Sequence, residues 1–179
     1  MKAPPRYDVP KKAPGSLRIV QEFLNTADRE HGREWLDSPA ALRRWLRERG
    51  LGAVRVDGED VTRAQELRES LREFVGGTDT RAAERLNWVA REAGISLRFY
   101  ANAAELVAGA PGVAGALGRI LLAVFEAMTE GSWPRLKTCP NCHWSFYDYS
   151  RNRSARWCSM TLCGNRSKTH AYYHRHSRV

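Results

Sequence analysis

The chain has 179 residues, 42% hydrophobic and 27% charged, with 29 Lys or Arg against 20 Asp or Glu and a net charge of +9. That length and balance suit one hydrophobic core with a small appendage, as in ordinary soluble proteins. Met1-Lys2-Ala3-Pro4-Pro5-Arg6 lacks the apolar run of a signal peptide, and the greasiest run, Ile120 to Phe125, is too short to span a bilayer, so a cytoplasmic protein without a membrane segment is expected.

Residues 1–15 contain four prolines and three lysines and predict a flexible leader. From Ser16, a plausible cap, Leu17, Val20, Leu24 and Ala27 recur at helical spacing, with Asn25 and Thr26 on the polar face and Gly32 beyond the end. His31 and Glu34, three apart near that end, read as a surface ion pair. Ser38-Pro39 starts a second helix with Leu42, Trp45 and Leu46 inside and Gly50 as its stop. Val54-Arg55-Val56 predicts a short strand before an Asp57-Gly58 turn. A third helix is expected from Thr62 to Val75 on Ala64, Leu67, Leu71 and Phe74. Asp79 can cap a fourth, with Leu86, Val89 and Ala93 inward. Ile95–Tyr100 alternates as a strand does, and Glu105–Ala108 can return beside it. Pro111-Gly112 then opens an Ala-rich helix to about Glu130, with Val113, Leu117, Ile120, Leu121, Val124 and Met128 inside. Gly131-Ser132-Trp133-Pro134 reads as a hinge. The expected fold class is α+β: a leader over 1–15, a mainly helical body with a small β-hairpin over 16–131, and a small ββα-like finger over 132–179.

The finger contains all four cysteines, Cys139, Cys142, Cys158 and Cys163. A Cys-x-x-Cys turn sets two sulfurs on one side of a metal, and the second pair closes a tetrahedral cage. Four thiolates leave no open position for a catalytic water, so the expected cofactor is one structural zinc ion. Disulfides imply export, and a thioredoxin-type pair has no need of two further cysteines.

Charge is concentrated in the same segment. From Gly131 onward nine Lys or Arg accompany a single acid, Asp148, for +8, whereas the first 130 residues are near neutral at +1. A basic metal module beside a neutral body is the footprint of a nucleic-acid binder. Gly164 suggests a left-handed turn at the metal, and Asn165 a cap for a helix from Arg166 to about His174. On that helix Lys168, Tyr172 and Arg175 share a face, with Arg166, His170 and Tyr173 beside it. Arg151, Arg153 and Arg156, from the loop before Cys158, would add phosphate contacts. Trp144 and Trp157 are expected to shield the zinc. No combination of nucleophile, base and orienting group is evident, so an enzyme is not expected.

The strings Cys139-Pro-Asn-Cys142, Phe146-Tyr147-Asp148, Arg156-Trp157-Cys158-Ser159-Met160 and Cys163-Gly164-Asn165-Arg166 resemble the CGNR-type zinc finger. Phe23-Leu24-Asn25-Thr26, with Asp37, Leu42, Trp45-Leu46 and Leu67-Arg68, is similar to the ABATE domain that precedes that finger. The resemblance implies a bacterial, stress-linked transcription regulator whose finger binds DNA and whose body senses a signal, with a small-molecule effector as a further expectation. Homodimerisation is expected on separate grounds, because specific DNA readers commonly pair to span two half-sites, with the Ala-rich helix or the Trp-rich second helix as the candidate interface. An RNA-binding finger and a protein-interaction module with a purely structural zinc remain the alternatives, DNA being favoured over RNA. The chain departs from the family pattern at Ala155, where a second arginine is usual, and in its histidine-rich tail, His170, His174 and His176.

Overall fold

The computed structural model describes residues 11–52, 55–77 and 80–169. Helix α1 (Leu17–Leu24) starts at Ser16, which makes no side-chain cap, and buries Leu17, Val20, Gln21, Phe23 and Leu24. It ends sooner than its periodicity predicts. Asn25 and Thr26 turn inward and are buried, and Ala27–Asp28 (β1) pairs antiparallel with Arg33–Glu34 (β2). Gly32 takes the positive φ of 61° that this tight connection needs. The expected His31–Glu34 pair is replaced by two others: His31 Nδ1 lies 2.7 Å from Asp28, and Glu34 is held bidentately by Arg68 at 2.6 and 2.7 Å.

Helix α2 (Pro39–Glu48) follows its signals, with Ser38 capping the Ala41 amide and Ala41, Leu42, Trp45 and Leu46 buried. Of the strand expected at 54–56, Val54 lies outside the described residues, and Arg55 and Val56 are irregular. Asp57 is not a turn residue but the cap of α3 (Gly58–Gly76), in a reciprocal capping box with Asp60, so this helix begins four residues earlier than predicted. The proposed cap Asp79 lies outside the described residues. Helix α4 (Thr80–Glu92) buries Ala82 and Leu86 and exposes Trp88.

Strands β3 (Ile95–Phe99) and β4 (Ala104–Ala108) form the predicted hairpin, Ile95 opposite Ala108 and Phe99 opposite Ala104. Helix α5 (Gly112–Thr129) is the central strut; Val113, Leu117, Ile120, Leu121 and Val124 are buried as expected, but Ala127 takes the inward place and Met128 is exposed. By length and composition α5 could cross a membrane, yet 56% of it is buried within the protein, as in a core helix. The main core joins α1, α2, α3 and α5 through Phe23, Leu42, Leu46, Leu67, Leu71, Ile120 and Val124.

The segment read as a hinge is a packed connection. Trp133–Arg135 makes one 3-10 turn, and the Trp133 ring lies 5.7 Å from that of Phe74 on α3. Leu136–Thr138 (β5) follows at once and pairs antiparallel with Ser145–Tyr147 (β6).

Candidate metal centre and nucleic-acid interface

Cys139 and Cys142 lie in the tight turn joining β5 to β6, closed by the Cys139 amide on the Trp144 carbonyl at 2.9 Å and the His143 amide on the Cys139 carbonyl at 2.8 Å. His143 adopts φ 59° to complete the turn. Cys158 and Cys163 come from the other side. Ser159 caps the Leu162 amide, and Met160–Gly164 forms a π-type turn that continues as helix over residues 165–169. Cys163 therefore sits inside a helical turn. Asn165, expected as the cap, is an ordinary helical residue at φ −66°, and Ser159 does the capping six residues earlier. Gly164 is not left-handed either. A Cβ there would come within 2.9 Å of the Met160 thioether and 3.3 Å of Trp157, so close packing is what favours glycine.

All four sulfurs are buried and lie within 4.8 Å of one another, with Cys142 to Cys158 at 3.5 Å and Cys158 to Cys163 at 3.6 Å. Tetrahedral zinc with bonds of about 2.3 Å sets its sulfurs about 3.8 Å apart, so a cage of this size fits one zinc ion. Four sulfurs this close cannot all ionise on their own. The Cys139 partner pushes the Cys142 thiol up to about 12, and Cys139 with Cys142 also raises the Cys158 thiol. A divalent cation is what lets four thiolates share the space. Trp144 and Phe146 are buried against the sulfurs, with Trp157 packed beside them, which excludes water from the cage as expected.

Strand alternation divides β6 between two cores. Phe146 faces the cysteines, whereas Tyr147 enters the core of the body, with its ring 4.8 Å from that of Tyr149. The body holds the metal turn by its backbone. Asn25 on the end of α1 donates to the Ser145 carbonyl and accepts from the Ser145 amide, both at 2.8 Å, and Gln21 donates to the same carbonyl at 3.1 Å. From α3, the buried Arg72 donates to the His143 carbonyl at 2.7 Å and the Leu24 carbonyl at 2.5 Å. Residues 11–15, expected in the flexible leader, instead form a strap. Lys11 accepts from the Tyr147 amide through its carbonyl, donates through its ammonium to the Trp157 carbonyl at 2.8 Å, and lies 4.9 Å from the Phe146 ring. Ala13 is buried in the main core.

The basic loop is equally well anchored. Asp148 is fully buried and accepts from Lys137 Nζ at 2.7 Å, the Ser150 amide at 2.8 Å and the Ala155 amide at 2.9 Å. Burial alone would raise its carboxyl, but Lys137 and the bonds from Ser150 and Ala155 hold it well below the usual carboxylate range. These contacts fix both ends of the turn that carries Arg151 and Arg153, both exposed, with Arg153 at φ 52°. Arg156 is exposed with its guanidinium 5.6 Å from the Trp157 ring, and Lys168 is exposed on the following helix. Arg166, expected to face phosphates, pairs with Glu30 of the β1–β2 turn. His170, Tyr172 and Arg175 lie outside the described residues. Asp148 was missed as a site residue, although its signal was plain: it is the one acid in a segment with nine basic residues.

Family models match this arrangement in the same order. The CGNR zinc finger model covers residues 135–176, and the ABATE model, described as a putative stress-induced transcription regulator, covers residues 17–131. The chain belongs to the ABATE family. In this ABATE protein the four-cysteine cage is the CGNR finger's site for one zinc ion, and the helical body around α5 is the ABATE region. No curated protein matches the sequence.

Proposed function

We propose that this ABATE protein is a DNA-binding transcription regulator that grips the phosphate backbone with its zinc finger. The observation that carries this reading is the preorganised basic turn. Arg151 and Arg153 stand on a loop pinned at both ends by the buried Asp148, beside Arg156 and Lys168, in a segment of net charge +8. Ordering that turn in advance lowers the entropy lost on binding. Helical residues 165–169 would approach the groove, and Arg166 must exchange Glu30 for a phosphate to take part. The body then regulates rather than catalyses. A small-molecule effector would be sought in the cleft of about 540 Å³ between α1, the end of α2 and α5, where Arg18, Arg49 and Arg119 stand with Glu22 and Glu126.

The test is a titration of zinc-loaded protein against a fluorescent DNA duplex and an RNA of equal length across salt. If about five phosphates are neutralised, log affinity falls by roughly 4.5 per decade of salt. Arg151→Gln with Arg153→Gln should weaken binding across all sequences and shallow that slope by about two. Preference for the RNA would replace the DNA reading. Absence of binding to either at low salt would leave the basic surface to acidic protein partners.

A further inference from the structure

Four large apolar side chains remain exposed around the β3–β4 hairpin and the nearby end of α5: Leu97 at 60%, Phe99 at 74%, Phe125 at 52% and Met128 at 47%. The hairpin is pressed onto the helix at its base and splayed from it toward its tip. At the base the contact is as close as glycine permits, for a Cβ on Gly118 would lie 2.5 Å from Ala93 and 2.7 Å from Ala108. Beyond that point Leu97, Ala104 and Leu106 on the hairpin and Leu122 and Phe125 on α5 line an open groove of about 660 Å³. Phe99, paired with Ala104 at the far end of the ladder, projects beside it.

We propose that a second copy of the chain docks here, each copy setting the Phe99 end of its hairpin into the groove of the other. A projecting knob beside a groove on one face is the self-complementary pattern that a two-fold interface requires. At the exposures given, the four side chains present on the order of 500 Å², against about 800 Å² per partner in a standard interface. Charge selects this face over the finger. The first 130 residues carry a balance of only +1, so two bodies meet without repulsion, whereas two fingers, each about +6 once four thiolates hold one zinc ion, repel. The rim carries both signs, Arg98 with Glu105 at 4.0 Å and Glu126 along the groove, so a two-fold can set unlike charges together. Among the described residues each strand of the hairpin also has one edge without a strand partner. The proposal does not depend on which nucleic acid the finger binds.

Sedimentation velocity on the zinc-loaded full chain, from about 1 to about 100 µM, tests it. The expected result is a concentration-dependent dimer. Phe99→Asp and Phe125→Asp should each weaken it thirtyfold or more, while Leu162→Asp, which places the same charge on an exposed apolar position of the finger, leaves it intact. Circular dichroism and zinc content establish that each variant is folded, and Phe99→Ser serves where an aspartate variant is not. A chain monomeric at the highest concentration overturns the proposal and leaves the groove to another protein or an apolar ligand. A dimer indifferent to both substitutions overturns it equally.

Discussion

Replacing Asn25 with alanine removes the side chain that both donates to and accepts from the backbone of Ser145 across 120 residues of sequence. The two bonds are unequal in consequence. The Ser145 carbonyl keeps its bond from Gln21, but its amide loses its partner in a buried place. A buried donor left unsatisfied costs about 1–3 kcal/mol, and the second lost bond with the small void adds about 1 kcal/mol, so a total of roughly 2–4 kcal/mol is expected. The assay is urea unfolding at fixed excess zinc, since free metal shifts the apparent stability. Ser145→Ala is the control. Its hydroxyl is buried without a hydrogen-bond partner among the described residues, so its removal should change stability by less than about 0.5 kcal/mol. An Asn25→Ala loss no larger than that of Ser145→Ala would refute the view that the body and finger are joined through this amide.

Asp148→Asn should cost about 2 kcal/mol or more at pH 7, because it weakens the Lys137 pair and the bonds that fix the basic turn. The folded carboxyl titrates below its unfolded value, so its stabilisation is complete above about pH 4 and fades as pH falls toward the folded value. The gap between wild type and Asp148→Asn, measured at each pH so that acid loss of zinc affects both chains, should therefore narrow below about pH 4. Gly115→Ala should cost more than about 3 kcal/mol in denaturant melts, since its Cβ would lie 2.0 Å from the Ala110 carbonyl oxygen. Gly164→Ala meets only the flexible end of Met160 and the edge of Trp157 and should cost about 1 kcal/mol. Chelation should release one zinc per chain and expose Trp144 and Trp157 to quenchers, and a fluorescence signal that stays native after metal removal would contradict a metal-dependent finger.

The zinc site was legible because ligand spacing is a local property, and Cys-x-x-Cys imposes nearly the same turn wherever it occurs. The long helices were legible for a related reason: Leu42, Trp45 and Leu46, or Leu117, Ile120 and Val124, repeat at 3.6 residues whatever they pack against. The joint between body and finger was not. Gln21 and Asn25 are amides on an amphipathic helix, and only the tertiary position of β6 makes them buried partners of a backbone rather than solvated ones. Tyr147 belongs to the core of the body although it lies among finger residues, because strand alternation places it on the opposite side from Phe146. The start of α3 was misplaced because Asp57-Gly58 satisfies the rules for a turn as well as those for a cap. Asp60 three residues after Asp57 was the deciding signal.

The strap and its neighbours also set an order of events during synthesis. Asn25 leaves the ribosome 120 residues ahead of Ser145, and Lys11 leaves 146 residues ahead of Trp157. At about 5–20 residues per second, Asn25 waits about 6–24 s for its partner. A purely apolar seam would be an aggregation hazard through that wait, whereas the amides and the lysine stay hydrated until the metal turn arrives. The nascent body can thus remain soluble while incomplete, and capture of zinc becomes the late step that draws the first residues of the fold against the last.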